Sequence, residues 1–368
     1  MPELMITGWP AIVLAFISAL LVTWYYVPKV VSIVRRRHLE DKPNGHKIHH
    51  INVPTLGGIG IFAGFLIGYL LGVDGYLPGL SYFTAAVVIL FFIGMKDDLI
   101  AMNQVKKLAG EFVSAVIIFF FTDLSFTSLH GFLGIDQISP WASFFITVFV
   151  IILIINAVNL IDGIDGLAAT VGVVTSVTFG IFFYLSGDFG YTVIAAALTG
   201  ALIAFLRFNL SNGRFKIFMG DTGSLVIGFT LAVFAIRFNE LVAQGRSVIS
   251  LTSAPAVAIG ILIVPLFDTL RVIVLRIAHN QSPFKADQRH IHHLMLRAGF
   301  THRESTLYIA LFNIMMIAIA FLLDGVGMIW LGVILFTICL IAVWFVYRAA
   351  ARTASAGRVP HGAAAVEA

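Results

Sequence analysis

Polar side chains recur every third residue at one place in an otherwise apolar part of the sequence. The four are Asn156, Asn159, Asp162 and Asp165. In a helix this spacing places amides and carboxylates along one side, and Gly163 and Gly166 predict a bend or break. Broken helices line polar cavities in membrane proteins, and polar groups beside lipid are costly. The pattern therefore favours a functional site.

Two further segments carry carboxylates suited to a divalent cation. Asp97 and Asp98 are adjacent, so their repulsion predicts a raised pKa for one of them or a bound cation. Mg²⁺ takes few protein carboxylates and keeps phosphate oxygens and waters, whereas the alternative is a solvated helix end. Asp221 is either a helix N-cap or a metal-bound carboxylate at a phosphate-binding helix N-terminus. Phe218 is either a core residue or a surface on which a nucleobase stacks.

The segment Asp41–His50 is basic and precedes an apolar run. Lys47 offers a point charge for a phosphate or a base carbonyl, and Gly57 and Gly58 permit close backbone approach. The alternative is a juxtamembrane loop that binds lipid headgroups.

The last large polar segment contains a run of histidines. Asp268 and Arg271 have the spacing of a pair on one helix face, which is either structural or functional. The run of His290, His292 and His293 resembles a metal-binding tract. It also suits the recognition of a diphosphate, with imidazoles as donors beside Arg289.

The composition shows where these residues must be held. Of the 368 residues, 59% are hydrophobic and 11% are charged, against about 25% charged in soluble domains. A water-soluble globule, a disordered chain and a collagen-like fibre are thereby excluded. The single cysteine, Cys339, excludes an internal disulfide, and its apolar surroundings argue against a metal or redox role. We expect no nucleic-acid partner.

The elements that position the polar residues are predicted transmembrane helices. A span needs about 20 apolar residues, and eleven such runs are present, so ten or eleven spans are expected. They lie near residues 8–34, 57–73, 79–95, 107–122, 141–158, 167–186, 190–206, 222–238, 254–277, 305–323 and 327–347. The runs are continuous, which favours an all-α polytopic membrane protein over a barrel. The first run is too long for a signal peptide, and its basic cluster follows it.

The basic residues predict the orientation. With the N-terminus outside and the C-terminus in the cytoplasm, 21 of the 23 Lys and Arg residues lie on the inner side, as the positive-inside rule requires. The acidic and histidine segments then share that cytoplasmic face. Residues 1–348 are predicted to form one integral membrane domain, and residues 349–368 a disordered cytoplasmic tail.

Taken in order, these segments resemble the polyprenyl-phosphate N-acetylhexosamine-1-phosphate transferases, the glycosyltransferase family 4 enzymes of the WecA and TagO type that are related to MraY. The resemblance runs from about Asp41 to Arg303. MraY has three consecutive histidines where this chain reads His290-Ile291-His292-His293, which is similar to the branch that uses UDP-N-acetylglucosamine or a related UDP-HexNAc. His46 departs from the family, which commonly has Arg there.

The resemblance implies a role for each matching residue. Asp97, Asp98 and Asp221 match catalytic residues, and Asp221 with Asn159 would bind the metal. Asp97 would deprotonate or orient the acceptor phosphate; because a lipid phosphate is already largely ionised at pH 7, positioning and base catalysis both stay open. The remaining roles are nucleotide binding by Lys47, Asp162, Asp165 and Phe218, and phosphate binding by Lys107, Arg289, His290, His292 and His293. Asp162 is alternatively only a member of the row of polar side chains at positions 156, 159, 162 and 165, called the polar ladder below.

The implied reaction transfers HexNAc 1-phosphate, GlcNAc 1-phosphate above all, from UDP-HexNAc to undecaprenyl or another polyprenyl phosphate and releases UMP. It would need Mg²⁺, or Mn²⁺ in its place, at the cytoplasmic face of the inner membrane. This is the first membrane step of a cell-envelope glycan such as lipopolysaccharide O-antigen or teichoic acid, and a homodimer is expected by family analogy. The alternatives are the MraY reaction and, in another class, a secondary transporter, which would place its charges near the midplane in inverted repeats.

Overall fold

The structure is a computed structural model that describes residues 3–37, 53–73, 77–281 and 289–355. These residues form thirteen α-helices, one β-hairpin and a 3₁₀ turn at Asp324–Val326. In chain order the elements are α1 (Glu3–Arg36), α2 (Gly57–Gly72), α3 (Leu80–Leu99), α4 (Gln104–Phe121), β1 (Ser128–Phe132), β2 (Ile135–Gln137), α5 (Pro140–Ile161), α6 (Leu167–Leu185), α7 (Phe189–Asn209), α8 (Gly220–Ala243), α9 (Ala254–Ile261), α10 (Ile263–Ala278), α11 (Ile291–Arg297), α12 (His302–Leu322) and α13 (Met328–Ser355).

Each of the eleven predicted apolar runs is helical, which confirms an all-α polytopic membrane protein. Within the described ranges, eight helices are long and apolar enough to cross a membrane, and α9 with α10 makes a ninth if the bent pair counts as one span. The other two runs are α2, which has only 16 residues, and α4, whose 18 residues include Lys106, Lys107 and Glu111.

The run 254–277 was expected to be one continuous span, and this expectation is wrong. The chain bends by 85° between α9 and α10. Pro265 has no backbone N–H to donate to Ile261, and its ring clashes with that carbonyl in a continuous helix. The helix therefore breaks at Leu262 and restarts with the proline in its first turn.

Two smaller features also differ from the prediction. The connection between α4 and α5 contains the antiparallel hairpin β1–β2, whose two turn residues, Leu133 and Gly134, both have positive φ, as a tight hairpin turn requires. The last helix continues to Ser355, seven residues into the segment predicted as a disordered tail. The alanines at 349–351 explain this because alanine is the strongest helix former.

Helix α8 is the centre of the bundle. Nearly all of its side chains are buried, and it packs against α2, α3, α5 and α6. Close approach is possible because the facing residues are small: a Cβ on Gly58 would lie 2.1 Å from the backbone nitrogen of Gly223. The first turn of α8, which carries Asp221, is thereby surrounded by the ends of other helices.

Candidate active site

A polar pocket of about 520 Å³ opens where five helix ends meet. These are the C-terminal ends of α3, α5 and α7 and the N-terminal ends of α8 and α12. Seven residues singled out from the sequence line it: Asp97, Asp98, Asn159, Asp162, Asp165, Phe218 and Asp221. The structure therefore brings together side chains that lie up to 124 positions apart in the sequence. The volume of the pocket lies within the range of small-molecule sites.

The ammonium group of Lys107 contacts three polar side chains that line the pocket. Its Nζ is 2.5 Å from Asp221 Oδ2 and 3.5 Å from Asp97 Oδ2, and it donates to Asn159 Oδ1 at 3.4 Å. Two carboxylates and one amide oxygen thus converge on one cation. The resemblance assigned Lys107 to phosphate, and the structure places it among the acids instead of apart from them.

Asn159 links the helices that meet at Asp221. Its Nδ2 donates to Asp221 Oδ1 at 2.6 Å and to Ser224 Oγ at 2.8 Å. Asn159 comes from α5 and both acceptors come from the first two turns of α8. The pair predicted as metal ligands, Asp221 and Asn159, is therefore in direct contact.

Asp97 and Asp98 are adjacent in sequence but have different surroundings. Asp98 accepts hydrogen bonds from the backbone of Asp221 at 2.7 Å and of Thr222 at 2.9 Å, and from the Thr222 hydroxyl. It therefore caps the N-terminus of α8, which lacks a side-chain cap of its own. Capping by a carboxylate is favourable at the positive end of the helix dipole. The resemblance assigned Asp98 to catalysis, and the structure shows that Asp98 fixes the turn that carries Asp221.

Asp97 keeps an oxygen directed at the pocket. Its Oδ1 accepts from the backbone N–H of Met102 at 2.6 Å, which closes the turn between α3 and α4. Its Oδ2 has Lys107 as a neighbour at 3.5 Å. Both acids line the pocket, but only Asp98 uses both oxygens to cap α8, so Asp97 is the better placed of the two to contact a ligand.

The residues of the predicted polar ladder do not lie along one continuous helix, because α5 ends at Ile161. They have different surroundings. Asn156 donates to Glu111 Oε2 on α4 at 2.5 Å, Asn159 binds α8, and Asp165 binds Lys216 at 2.6 Å. The carboxyl group of Asp162 has no hydrogen bond or ion pair within the described part of the chain. Burial, together with the charges of Asp221, Asp98 and Asp165, raises its pKa well above the ordinary value.

The far side of the pocket carries an exposed aromatic ring. Phe218 is 38% exposed, and its backbone is fixed by hydrogen bonds with Pro54 and Gly57. Lys216 Nζ lies 5.7 Å from the centroid of that ring. His302, the first residue of α12, lines the same side. A flat ring beside charged groups is the arrangement predicted for a nucleobase subsite.

The histidine run lies behind the pocket wall. His290 Nδ1 is 2.8 Å from Asp268 Oδ2, and the other oxygen of Asp268 binds Arg271 and the N–H of Ile291. His290 and His292 are buried, and neither they nor His293 line the pocket described above.

His292 explains a glycine of the ladder. A Cβ on Gly163 would lie 2.1 Å from His292 Nε2, so the imidazole packs directly on the backbone of the pocket wall. Burial, with the neighbouring charge of His293 second, lowers the pKa of His292 to about 3, and burial also lowers the pKa of His293.

Arg289 was predicted to bind phosphate and Lys47 to bind the nucleotide. The backbone carbonyl of Arg289 accepts from the guanidinium of Arg271, which places Arg289 at the start of the histidine run. Lys47 lies outside the described residues, as does the rest of the basic segment around it.

The donor set around Lys107 fits a magnesium ion. No cluster of three or more His, Cys, Asp or Glu side chains arranged for a metal occurs among the described residues, so the tract of histidines has no such geometry there. Two carboxylates and one amide oxygen already surround the Lys107 cation, and hard oxygen ligands few in number are what Mg²⁺ takes when phosphates complete its shell.

Comparison with known proteins identifies the family. Residues 80–239 match the family model of glycosyl transferase family 4. The chain is 30% identical over 319 residues to the undecaprenyl-phosphate alpha-N-acetylglucosaminyl 1-phosphate transferase of Salmonella typhi, covering 84% of this chain and 82% of the relative. The chain belongs to glycosyl transferase family 4. Proteins of the same name from Haemophilus influenzae and Escherichia coli K12 are 36% identical over 276 residues (74% of this chain, 75% of the relative) and 29% identical over 345 residues (90% and 92%).

Four residues of this family 4 site were missed by the sequence reasoning: Ser224, Glu111, Lys216 and His302. Ser224 and Lys216 lie three and five positions from Asp221, so a wider search around that acid would have found them. Glu111 follows Lys107 by one helical turn, which was a usable signal. His302 had no local signal because only the packing of α12 brings it to the pocket.

Proposed function

We propose that this chain transfers GlcNAc 1-phosphate from UDP-GlcNAc to undecaprenyl phosphate and releases UMP. The observation that supports the proposal most directly is the convergence of Asp97, Lys107, Asn159 and Asp221 at one end of the bundle, beside an exposed aromatic ring. This arrangement provides a charged centre for two phosphates and a separate surface for a base. The activity for which the relatives from three organisms are named agrees with this choice of transferred group and acceptor.

The protein's own residues perform positioning and charge neutralisation, which dominate phosphoryl transfer. Phe218 offers a stacking surface for uracil, with Asp165 at the edge of the base. Lys107 attracts the phosphates toward the acids, and Asp97 orients the acceptor phosphate in line with the donor. The second ionisation of a phosphate monoester has a pKa of about 6, so the acceptor arrives largely ionised and positioning by Asp97 is sufficient.

We propose Mg²⁺ as the cofactor, held by Asp221 and the amide oxygen of Asn159. When bound, the ion would polarise the diphosphate and stabilise the charge that develops on UMP. Lys107, whose ammonium group contacts Asp221, would then be available to contact a phosphate oxygen. Mn²⁺, which prefers the same oxygen ligands, would replace it.

The proposed setting is the inner membrane, with the pocket facing the cytoplasm. A lipid phosphate and a soluble nucleotide sugar meet only where bilayer and cytosol adjoin, and all five helix ends that form the pocket lie at the same end of the bundle. We also propose a homodimer, to be tested by native mass spectrometry of the detergent-solubilised protein.

The decisive experiment incubates purified protein in detergent with undecaprenyl phosphate, Mg²⁺ and a panel of UDP-sugars. The lipid product is identified by mass, and a product carrying HexNAc 1-phosphate is expected, most abundantly with UDP-GlcNAc. Product only with UDP-MurNAc-pentapeptide would favour the MraY reaction. Detergent removes the sealed compartment that a transporter needs, so turnover of the nucleotide sugar under these conditions contradicts the transporter alternative.

The cofactor is tested in the same assay. Chelation with EDTA should abolish turnover, and added Mg²⁺ should restore it. Full turnover in EDTA-treated protein would contradict a metal at Asp221.

A further inference from the structure

We propose that Lys216 is a positioning residue that fixes which atom of the Asp165 side chain reads the nucleobase, and so makes the site selective for uracil over cytosine. This inference rests on the proposed use of a uridine nucleotide. It concerns a residue that the sequence reasoning did not single out and that lies behind the pocket lining.

The first observation is the asymmetry of the Asp165 carboxylate. Its Oδ2 is 2.6 Å from Lys216 Nζ and 3.8 Å from His302 Nδ1. Its Oδ1 accepts no hydrogen bond from any group in the described ranges, and Asp165 lines the pocket. One oxygen is therefore held by the Lys216 ammonium with the His302 imidazole beside it, and the other is available to a ligand.

The second observation is the way the two loops are joined. Asn209 is buried, and its Oδ1 accepts from the N–H of Gly166 at 2.5 Å while its Nδ2 donates to the carbonyl of Ile217 at 2.8 Å. One amide thus ties the residue after Asp165 to the residue after Lys216. Thr306 on α12 adds a bond from its hydroxyl to the Asp165 carbonyl at 2.8 Å.

These contacts preorganise the pair before any ligand arrives. Because both backbones are tied, Lys216 does not need to search for its partner, and the carboxylate does not rotate freely. Affinity and selectivity both gain when a binding group is held in its bound geometry. An ordinary exposed ion pair contributes little to stability, so stability alone does not explain why both backbones of this pair are held by hydrogen bonds.

The chemistry of the base edge then gives selectivity. An ionised carboxylate is an acceptor only. Uracil carries a hydrogen on N3, which donates to Asp165 Oδ1, whereas N3 of cytosine is itself an acceptor and would face the carboxylate with a lone pair. A site that leaves buried polar groups unpaired with the wrong ligand rejects that ligand strongly.

The role of Lys216 becomes visible when Asp165 is changed to asparagine. Lysine has donors and no acceptor, so in Asp165→Asn it must hold the amide oxygen, and the NH₂ group then points to the base. That donor matches N3 of cytosine. The single change should therefore reverse the preference between the bases, but only while Lys216 is present.

The test measures equilibrium binding of UDP and CDP to the purified full-length protein in detergent with Mg²⁺. Wild type should bind UDP at least about tenfold more tightly than CDP, as expected from one hydrogen bond gained against one lost. Asp165→Asn should bind CDP more tightly than UDP. Asp165→Asn combined with Lys216→Met should bind the two equally, because the amide is then free to turn.

Controls separate this role from a structural one. Lys106→Met removes an exposed lysine at the same end of the bundle, and combined with Asp165→Asn it should leave the reversed preference intact. Reversal that survives Lys216→Met, or no reversal in Asp165→Asn, would overturn the inference while UDP binding by wild type upholds the proposed function. Wild type that binds neither nucleotide would instead remove the proposed donor. Melting temperatures of all variants show whether each one folds.

Discussion

Carboxylates lie at both ends of α8, buried at the C-terminal end and partly buried at the N-terminal end, and the two groups differ in how completely the protein hydrogen-bonds their oxygens. Glu240, near the C-terminal end, accepts from the N–H of Thr127 at 2.8 Å and from its hydroxyl at 2.9 Å. Asp324, beyond the far end of α12, uses both oxygens to bind Thr252 and Ser253. These acids hold the hairpin and the start of α9, and little capacity is left for a ligand.

The acids at the N-terminal end of α8 are less completely bound. The carboxyl group of Asp162 has no hydrogen bond or ion pair within the described part of the chain, and Asp165 leaves Oδ1 without a partner there. Asp221, Asp97 and Asn159 share a single ammonium group. Buried polar groups that lack partners are costly, so a fold retains them where a ligand completes them. Asp98 is the exception, since its bonds resemble those of the structural acids.

The largest effect on turnover is expected for Asp221, which lies among the less completely bonded acids. Asp221→Asn keeps the shape of the side chain and removes its charge, so turnover should fall by about a thousandfold, the scale of losing one main electrostatic contact in an active site. Turnover is measured by the lipid-product assay and folding by the melting temperature in detergent. Full activity in this variant would refute the role of Asp221.

Asp98→Ala should have a mixed effect, because Asp98 belongs to the active end yet is bonded like a structural acid. Loss of the cap costs about 1–2 kcal/mol, and the displaced turn should lower kcat by about a hundredfold, as a small misplacement of catalytic groups does. Asp97→Ala should lower kcat with little change in melting temperature. Equal melting temperatures for both variants would show that Asp98 does not stabilise the first turn of α8.

Asp324→Ala should show the opposite pattern at the other end of the molecule. It leaves the N–H groups of Thr252 and Ser253 without their acceptor, at a cost of about 1–3 kcal/mol for each unsatisfied group. The melting temperature should fall while kcat per folded molecule stays unchanged. A fall in kcat with unchanged stability would mean that the satisfied acids also serve catalysis.

The smallest effect concerns the buried histidine behind the pocket. Because burial lowers the pKa of His292 from 6.5 to about 3, the folded state binds its proton less readily than the unfolded state. The contribution of neutral His292 is therefore fully present above pH 6.5 and is lost as the pH falls toward 3. His292→Gln should lose less stability than wild type between pH 7 and pH 4.5, with melting temperature as the measurement. Parallel losses would show that another group titrates.

The sequence alone determined the fold class and many of the polar side chains that meet in the pocket. Long apolar runs can only be satisfied as helices in lipid, and polar groups at their ends are too costly to be incidental, so the spans and Asp97, Asn159, Asp162, Asp165, Phe218 and Asp221 were all predicted from residue type and spacing. The motif resemblance also predicted the family, which the relatives confirm.

Only the tertiary structure decided which neighbour each polar group has. Asp97 and Asp98 are indistinguishable by spacing and both line the pocket, yet Asp97 lies beside Lys107 whereas Asp98 caps α8, because the packing of α3 against α8 sets their directions. The 85° break at Leu262 and the arrival of His302 at the pocket depend in the same way on contacts between distant segments. Local sequence specifies which polar groups need hydrogen-bond or ion-pair partners, whereas long-range packing decides which residues become those partners.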